Sequence, residues 1–462
     1  MSAEQVQTVY GKISSAFSSA KLAELCLEKV GVQTGPFGSQ LHNEDYVEKG
    51  TPIITVEHLS DNRILHKNTP KVSDADRVRL SKYSLTEGDI VFSRVGSVDR
   101  RALVRQQEEG WLFSGRCLRV RPKPEIIDSA YLSYFFGHEG FRSHIRGIAV
   151  GATMPSINTK ILSNIPIYYP ELNVQRRIAC VLSSLDDKIE LNRQINQTLE
   201  QMAQAIFKSW FVDFDPVHAK VQAIKEGRDP IEAAARVIGN PALERVGASL
   251  REIAELFPSE FVESELGLIP KGWEVTNFGA VSTCYDKYRI PLSRQEREKR
   301  KGSIPYYGAT SVMDYVDEAI FDGVYLLLGE DGSVVKENGT PFVQYIWGKS
   351  WVNNHAHVLQ GANGLSTEQL MLFVSMQNIS AYVTGAVQLK LNQKNMNSIP
   401  FTKATSSINK SFSEIISSLY SKYRTLVEES LGLTLLRDTL LPKLLSGEIR
   451  VGDAEQQVYE VT

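Results

Sequence analysis

The sequence predicts an α+β fold: two mixed α/β modules separated by two long antiparallel coiled-coil helices, produced by internal duplication with a pseudo-two-fold arrangement. Three observations predict it. One is a heptad pattern that occurs twice. The second is a single offset of 234 residues that superposes the two copies together with their flanking loops. The third is a run of strand and turn signals ahead of each copy.

The heptads come first because they fix the frame. Ile178, Leu185, Asn192, Leu199 and Ile206 fall seven residues apart, and Phe412, Leu419, Leu426, Leu433 and Leu440 repeat the step. Such spacing marks a helix that packs along its whole length against another. Val181, Ile195 and Met202 supply most of the second seam position, and Asn192 is the polar residue that sets register. Ile189 flanks the seam and, with Leu191, Phe207, Tyr420, Tyr423 and Leu441, forms either an expected docking surface or cover for the edges of the modules. The offset also pairs Gly151-Ala152 with Gly385-Ala386, Asn158 with Asn392 and Ile165-Pro166 with Ile399-Pro400. Two unrelated amphipathic helices would not carry their loops along, so the pattern is a duplication.

Taken in order, residues 1–20 read as a polar, irregular N-terminal tail and 21–170 as the first module. Within it Thr51 to Val56, Gly88 to Ser93 and Cys117 to Pro122 read as strands, and Ser129 to Gly140 as a helix. The first long helix occupies 171–214, its pattern ending before Pro216. Residues 215–265 form an ordered helical connector, broken at Gly239-Asn240-Pro241, with neither a Gly/Ser nor a Pro tract. The second module covers 266–403, the second long helix 404–446, and a C-terminal tail 447–462.

Composition bounds the function. At 462 residues, 42% hydrophobic and 23% charged, the chain is an ordinary globular protein of two or three domains. No apolar run approaches the ~18 residues of a membrane span, so no membrane partner is expected. Cys26, Cys117, Cys180 and Cys284 are far apart with no Cys-x-x-Cys, which predicts reduced thiols and a cytoplasmic setting. The net charge of −3 excludes a simple basic nucleic-acid binder, but its distribution is uneven. Residues 20–170 hold 20 Lys and Arg against 17 Asp and Glu, and 266–404 hold 13 against 12, while 171–265 hold 11 against 16. The acidic excess therefore sits on the helix and connector.

No catalytic constellation is present. Gly348-Lys349-Ser350 lacks the upstream glycine of a phosphate loop because Val343 stands there. His355 and His357 have no third ligand at a suitable spacing and read as a packed, hydrogen-bonded strand, so no metal is expected.

Several short motifs lie around the duplicated helix. They include Gly35-Pro36-Phe37-Gly38-Ser39, Ser209-Trp210-Phe211-Val212-Asp213-Phe214-Asp215-Pro216, Ile269-Pro270-Lys271-Gly272-Trp273, Asn353-Asn354-His355-Ala356-His357 and Leu441-Pro442-Lys443-Leu444-Leu445. In this order the chain resembles the specificity subunit of prokaryotic type I restriction–modification enzymes over essentially its full length. The resemblance implies that each module is a target-recognition domain gripping one half of a bipartite double-stranded DNA sequence. It implies that the helices set the spacing and dock two modification subunits, with restriction subunits joining to form the nuclease. It places no cofactor on this chain: S-adenosylmethionine belongs to the modification subunits, ATP and Mg²⁺ to the restriction machinery. Self-association through the seam is expected in isolation. A coiled-coil scaffold for protein partners is the alternative reading.

DNA contact needs cations for phosphates and forked donors for base edges. In the first module Arg94, Arg100 and Arg101 lie in a turn-rich segment after a strand. Arg116 and Arg119 lie on or beside another strand, where Arg119 and Arg121 share a face. In the second, Lys287, Arg289, Arg294, Arg297, Lys299, Arg300 and Lys301 form the densest basic cluster, interleaved with Tyr285, Tyr288 and Gln295. A helix of ~38 residues spans roughly 57 Å, and two readers on one DNA face favour half-sites ~10 base pairs apart.

Overall fold

The computed structural model describes residues 4–239, 249–385 and 388–460. Asn240 and Pro241, expected to break the connector, lie outside the described residues. The chain divides into two compact units, Met1–Asn192 with Glu428–Thr462, and Arg193–Val427. Each unit holds one module and one half of each long helix.

The helices run over Leu172–Phe211 and Ser406–Ser446. In the first unit their halves lie antiparallel, as Asn192 Nδ2 donates to Glu429 Oε2 at 2.9 Å and Arg437 Nη1 donates to Asp186 Oδ1 at 2.7 Å. Ile178, Leu185, Leu433 and Leu440 are buried between them and the module, and Ile189 is half-buried. Asn192 is buried with its amide shared between Glu429 and Ser430, so the polar seam position is satisfied. In the second unit Phe412 meets Phe207 and Phe211, with ring centroids 5.9 and 4.8 Å apart. Ile206, Leu419 and Leu426 are buried there and Leu199 is half-buried.

The expected docking surface needs correction. Phe207 and Tyr420 are buried because each module packs on both helices and covers them, and Tyr423 and Leu441 are half-buried. Among the described residues Leu191, Leu431 and Leu435 are the exposed large hydrophobics of the helices, at 50%, 66% and 71%. Leu431 and Leu435 are four apart and so share a face.

Each module carries two four-stranded sheets. In the first, the antiparallel sheet orders Val32–Thr34, Cys117–Val120, Ile90–Ser93 and Arg101–Leu103. In the second, Ser282–Cys284, Ala356–Gly361, Tyr325–Gly329 and Val343–Ile346 take the same order. The other sheet has a parallel pair in both, Thr51–Ile54 with Leu112–Phe113, and Lys301–Tyr307 with Lys349–Val352. Ser156 bridges Val95 and Val150, and Lys390 bridges Asp331 and Thr384. The 234 offset persists at Ser156/Lys390 and Val150/Thr384, whereas Val95 and Asp331 differ by 236. The Ser129–Gly137 helix buries its aromatic run against the first core.

The termini differ from expectation. Residues 4–20 are structured: Gln5–Thr8 and Gly11–Ser14 form a hairpin, and Ser18–Lys21 pairs with Pro166–Tyr169 just before the long helix. Phe261–Ser264 and Gly267–Pro270 make the corresponding hairpin of the second repeat, and Glu274–Asn277 pairs with Pro400–Lys403. Each repeat thus begins with a hairpin that polarity alone conceals, because edge strands are held by their backbone. The C-terminal tail likewise contains a helix, Val451–Tyr459, with Val451, Ala454 and Val458 buried on one face. The connector is helical over Asp215–Lys225, Pro230–Ile238 and Leu250–Leu256 and then enters the second hairpin.

Candidate nucleic-acid interface

The first module sorts its arginines by what they touch. Arg119 is 1% exposed: it donates to the carbonyls of Ser84 and Val30 and to Gln33 Oε1, and burial with Arg121 alongside lowers its pKa to about 10. Arg121 grips the buried Asp89 through two bonds of 2.7 and 2.6 Å. Arg101 is also buried, bonded to Asp61 and the Ser133 carbonyl. A Cβ on Gly137 would lie 2.0 Å from its guanidinium. The expectation that Arg101 and Arg119 face DNA is therefore corrected. Strand alternation cannot distinguish a groove-lining face from a core face when both carry arginine.

Arg100 and Arg116 behave differently. Both are exposed, and neither has an ion pair or side-chain hydrogen bond among the described residues. They line one cleft of about 700 Å³ with Pro36, Phe37, Leu41, Tyr46, Thr55, Val56, Glu57, Ser114 and Gly115. Glu57 at its rim accepts from the Thr55 hydroxyl. Arg94 adjoins the cleft, half-buried, its guanidinium donating to the Gly115 carbonyl at 3.1 Å. The Arg94 N–H also donates to the Arg116 carbonyl at 2.8 Å, which ties the two turns together. This cleft offers forked donors beside an aromatic ring, the equipment for reading base edges and holding phosphate.

In the second module Glu330 N–H donates to the His355 carbonyl at 2.8 Å, so Glu330 and His355 stand where Arg94 and Arg116 stand in the first. The chemistry at that place is altered. Arg289 is tied to Glu330 and to the Ala356 carbonyl, both at 2.7 Å, and lies 3.3 Å from Asp286. His357 is buried between Asp286 and the Leu391 carbonyl. His355 lies outside the strand, exposed and bonded to Asp331, which corrects its placement in a packed strand. Cys284, Asp286 and His357 bring possible ligand atoms within 4.8 Å of one another. Sequence spacing hid this convergence because the three come from two strands and a turn. Burial pushes the Cys284 thiol up to about 12, and Arg289 already neutralises the carboxylates, so the group is a hydrogen-bonded ion cluster.

The basic cluster of the second module is largely neutralised from within. Arg297 is half-buried on Asp314 and the Leu292 carbonyl, Arg294 pairs with Glu298, and Arg300 pairs with Asp317 and Glu318. Lys301 beside Asp314 draws that carboxyl down to about 2. Arg289 and Arg297 therefore build the module, which corrects their assignment as DNA contacts. Lys287 and Lys299 are exposed with no ion pair among the described residues. Lys287 lies over the Tyr288 ring at 4.9 Å, and Tyr288 and Ile290 are about half exposed. Sequence reasoning missed Phe37 as a site residue, reading it only as part of a turn, although a phenylalanine flanked by Pro36 and Gly38 has little to pack against locally.

Each module is also fastened to the helices by a polar clip. In the first unit Tyr134 donates to Asp186 at 2.6 Å, and Asp186 holds Arg437. In the second, Glu368 accepts from Tyr345 of the same module at 2.7 Å and pairs with Arg424 of the helix, with the buried Tyr420 ring 5.0 Å from Tyr345. Tyr134 and Glu368 are 234 apart, as are Asp186 and Tyr420, so at these two positions tyrosine and carboxylate are interchanged in the sequence.

Comparison with known proteins agrees with this architecture. The sequence matches the family described as the type I restriction modification DNA specificity domain over residues 29–201 and 270–430. It is 28% identical over 441 residues to the type I restriction enzyme HindI specificity subunit of Haemophilus influenzae, covering 86% of this chain and 94% of that one. It is 24% identical over 356 residues to the MjaIX specificity subunit of Methanocaldococcus jannaschii, covering 72% and 71%. The fold is similar to that of the type I restriction–modification S subunit from M. genitalium, with a TM-score of 0.55 at 15% identity over 93% of this chain and 96% of that one. Among the described residues no helix is long and apolar enough to cross a membrane. With both repeats matched, the chain belongs to the type I restriction–modification DNA specificity family.

Proposed function

We propose that the two modules each read one half of a bipartite double-stranded DNA target. The long helices hold the readers at a fixed spacing and dock two modification subunits. The observation that carries the reading is the first cleft, where Arg100 and Arg116 stand exposed and, among the described residues, unpaired, while most arginines of the module have found carboxylates or carbonyls. The second module presents Lys287, Tyr288 and His355 from the corresponding turns, with Arg294, Arg300 and Lys301 available where surface pairs exchange for phosphate. Leu191, Leu431 and Leu435 supply apolar surface for the modification subunits. Those subunits bring S-adenosylmethionine, and restriction subunits bring ATP and Mg²⁺ chemistry; the role of this chain is recognition in the prokaryotic cytoplasm.

The test is binding of the assembled methyltransferase to its target over a range of salt. Phosphate neutralisation makes log K fall linearly with log salt. Arg100→Ala and Arg116→Ala should weaken binding at one half-site and leave discrimination at the other intact. A salt-independent affinity that neither change alters would remove the reading.

A further inference from the structure

We propose that Phe37 is a wedge that enters the DNA stack at one base step of the half-site read by the first module. The inference rests on the DNA-reading role of the first cleft and adds an indirect mode of recognition to it.

Phe37 is 63% exposed, an unusual state for an aromatic side chain on a well-fastened turn. The backbone around it explains why it stays out. A Cβ on Gly35 would lie 2.2 Å from the Ser114 carbonyl oxygen, and a Cβ on Gly115 would lie 2.4 Å from that of Pro36. The two turns therefore meet backbone to backbone, a closeness only glycine permits. Pro36 is buried and Gly38 takes φ +59°, turning the chain immediately after the ring. Beyond it Gln40 is held from two sides, its side chain accepting from Tyr83 and its carbonyl from Arg79. The tip is fixed at both ends, so contact with DNA would not fold the ring back.

The chemistry of the surroundings selects the occupant. Phe37 borders a cleft with two guanidinium groups that are unpaired among the described residues, which favours a polyanion over an apolar protein face. The ring has no donor or acceptor and cannot read base-edge hydrogen bonds. On duplex DNA its largest apolar partner is the face of a base pair, which becomes available when a step is partly unstacked. Apolar wedges on rigid supports beside cations are a known means of kinking DNA, and they favour sequences with soft steps. In the corresponding turn of the second module Asp286 and Arg289 belong to the ion cluster, and the exposed ring is Tyr288, which carries a hydroxyl and lies under Lys287, so the wholly apolar ring belongs to the first half-site.

The experiment uses the methyltransferase assembled with its modification subunits and target duplexes carrying 2-aminopurine at successive positions of the first half-site. Unstacking raises 2-aminopurine fluorescence. The wild-type complex should give a rise at one step that Phe37→Ala abolishes and Phe37→Trp keeps. Loss of the stacked ring should weaken binding about 5- to 150-fold, the range of base–aromatic stacking. The ring is exposed, so the melting temperature should not change. A rise that survives Phe37→Ala comes from base extrusion by the modification subunit. If no step responds to Phe37, the wedge is refuted. If Arg100→Ala and Arg116→Ala weaken binding while Phe37→Ala does not, the wedge fails and the DNA-reading cleft stands. If none of the three changes has an effect, the cleft reading fails as well.

Discussion

Arg116 and Arg119 lie three positions apart, and what each guanidinium touches decides what its loss should do. Arg116→Ala removes a guanidinium with no partner among the described residues, so stability should hold while affinity for the correct base falls by ~1–3 kcal/mol. Arg119→Ala abandons two buried carbonyls and Gln33, at ~1–3 kcal/mol for each group left unsatisfied, and should lower the melting temperature before any DNA is added. Thermal unfolding beside a binding titration separates the two. Asp286 offers a pH prediction. Burial pushes its carboxyl up, but His357, the Val358 N–H and Arg289 outweigh that and leave it below the ordinary range. Its contribution is therefore complete above the unfolded value near ~4 and is lost as pH falls through the lower folded value. Denaturant midpoints should fall below pH ~4, and Asp286→Asn should remove part of that fall. At this scale the sequence was only partly legible: it placed basic residues near the right turns but could not tell free from committed ones, because pairing depends on Asp61, Asp89 and Asp314, distant in the chain.

The long helices were the most legible elements, since a seven-residue step is local and repeats. What their pattern omitted was the contacts that fasten modules to them. Tyr134 bonds Asp186 across module and helix in the first unit, whereas in the second Glu368 bonds Tyr345 within the module and reaches the helix through Arg424. Tyr134→Glu should set two carboxylates face to face at a buried site and cost ~3–5 kcal/mol, the scale of a broken buried pair. Adding Asp186→Tyr should recover part of the loss, read as a non-zero coupling in a double-mutant cycle. Additive losses would mean that the clip is mere packing. The terminal hairpin and the Val451–Tyr459 helix escaped notice because their polarity resembles a solvated tail, and only the ladder and the buried Val451, Ala454 and Val458 reveal them.

For the whole molecule, the repeat is the organising fact. Two modules share the strand order of one sheet and a parallel pair in the other, while the turns at the reading face have diverged from arginine and phenylalanine to carboxylate and histidine. A conserved frame with altered turns suits the reading of two different half-sites. If the helices act as a ruler, deleting one whole heptad from each should change the accepted spacer and leave both half-site sequences unchanged. The duplication was visible in sequence as one constant offset. The start of each repeat was not, because the hairpins at Gln5 and Phe261 keep a fold with little shared sequence.

The most direct measurement is methylome sequencing of a host expressing this chain with its modification subunit, in wild-type form and as the Arg100→Ala, Arg116→Ala double variant. The account predicts a bipartite motif with a fixed gap and methyladenine in both halves, and in the variant a relaxed base identity in one half only. No new methylation beside a demonstrably active modification subunit, or relaxation of both halves together, would contradict it and favour a scaffold that binds protein.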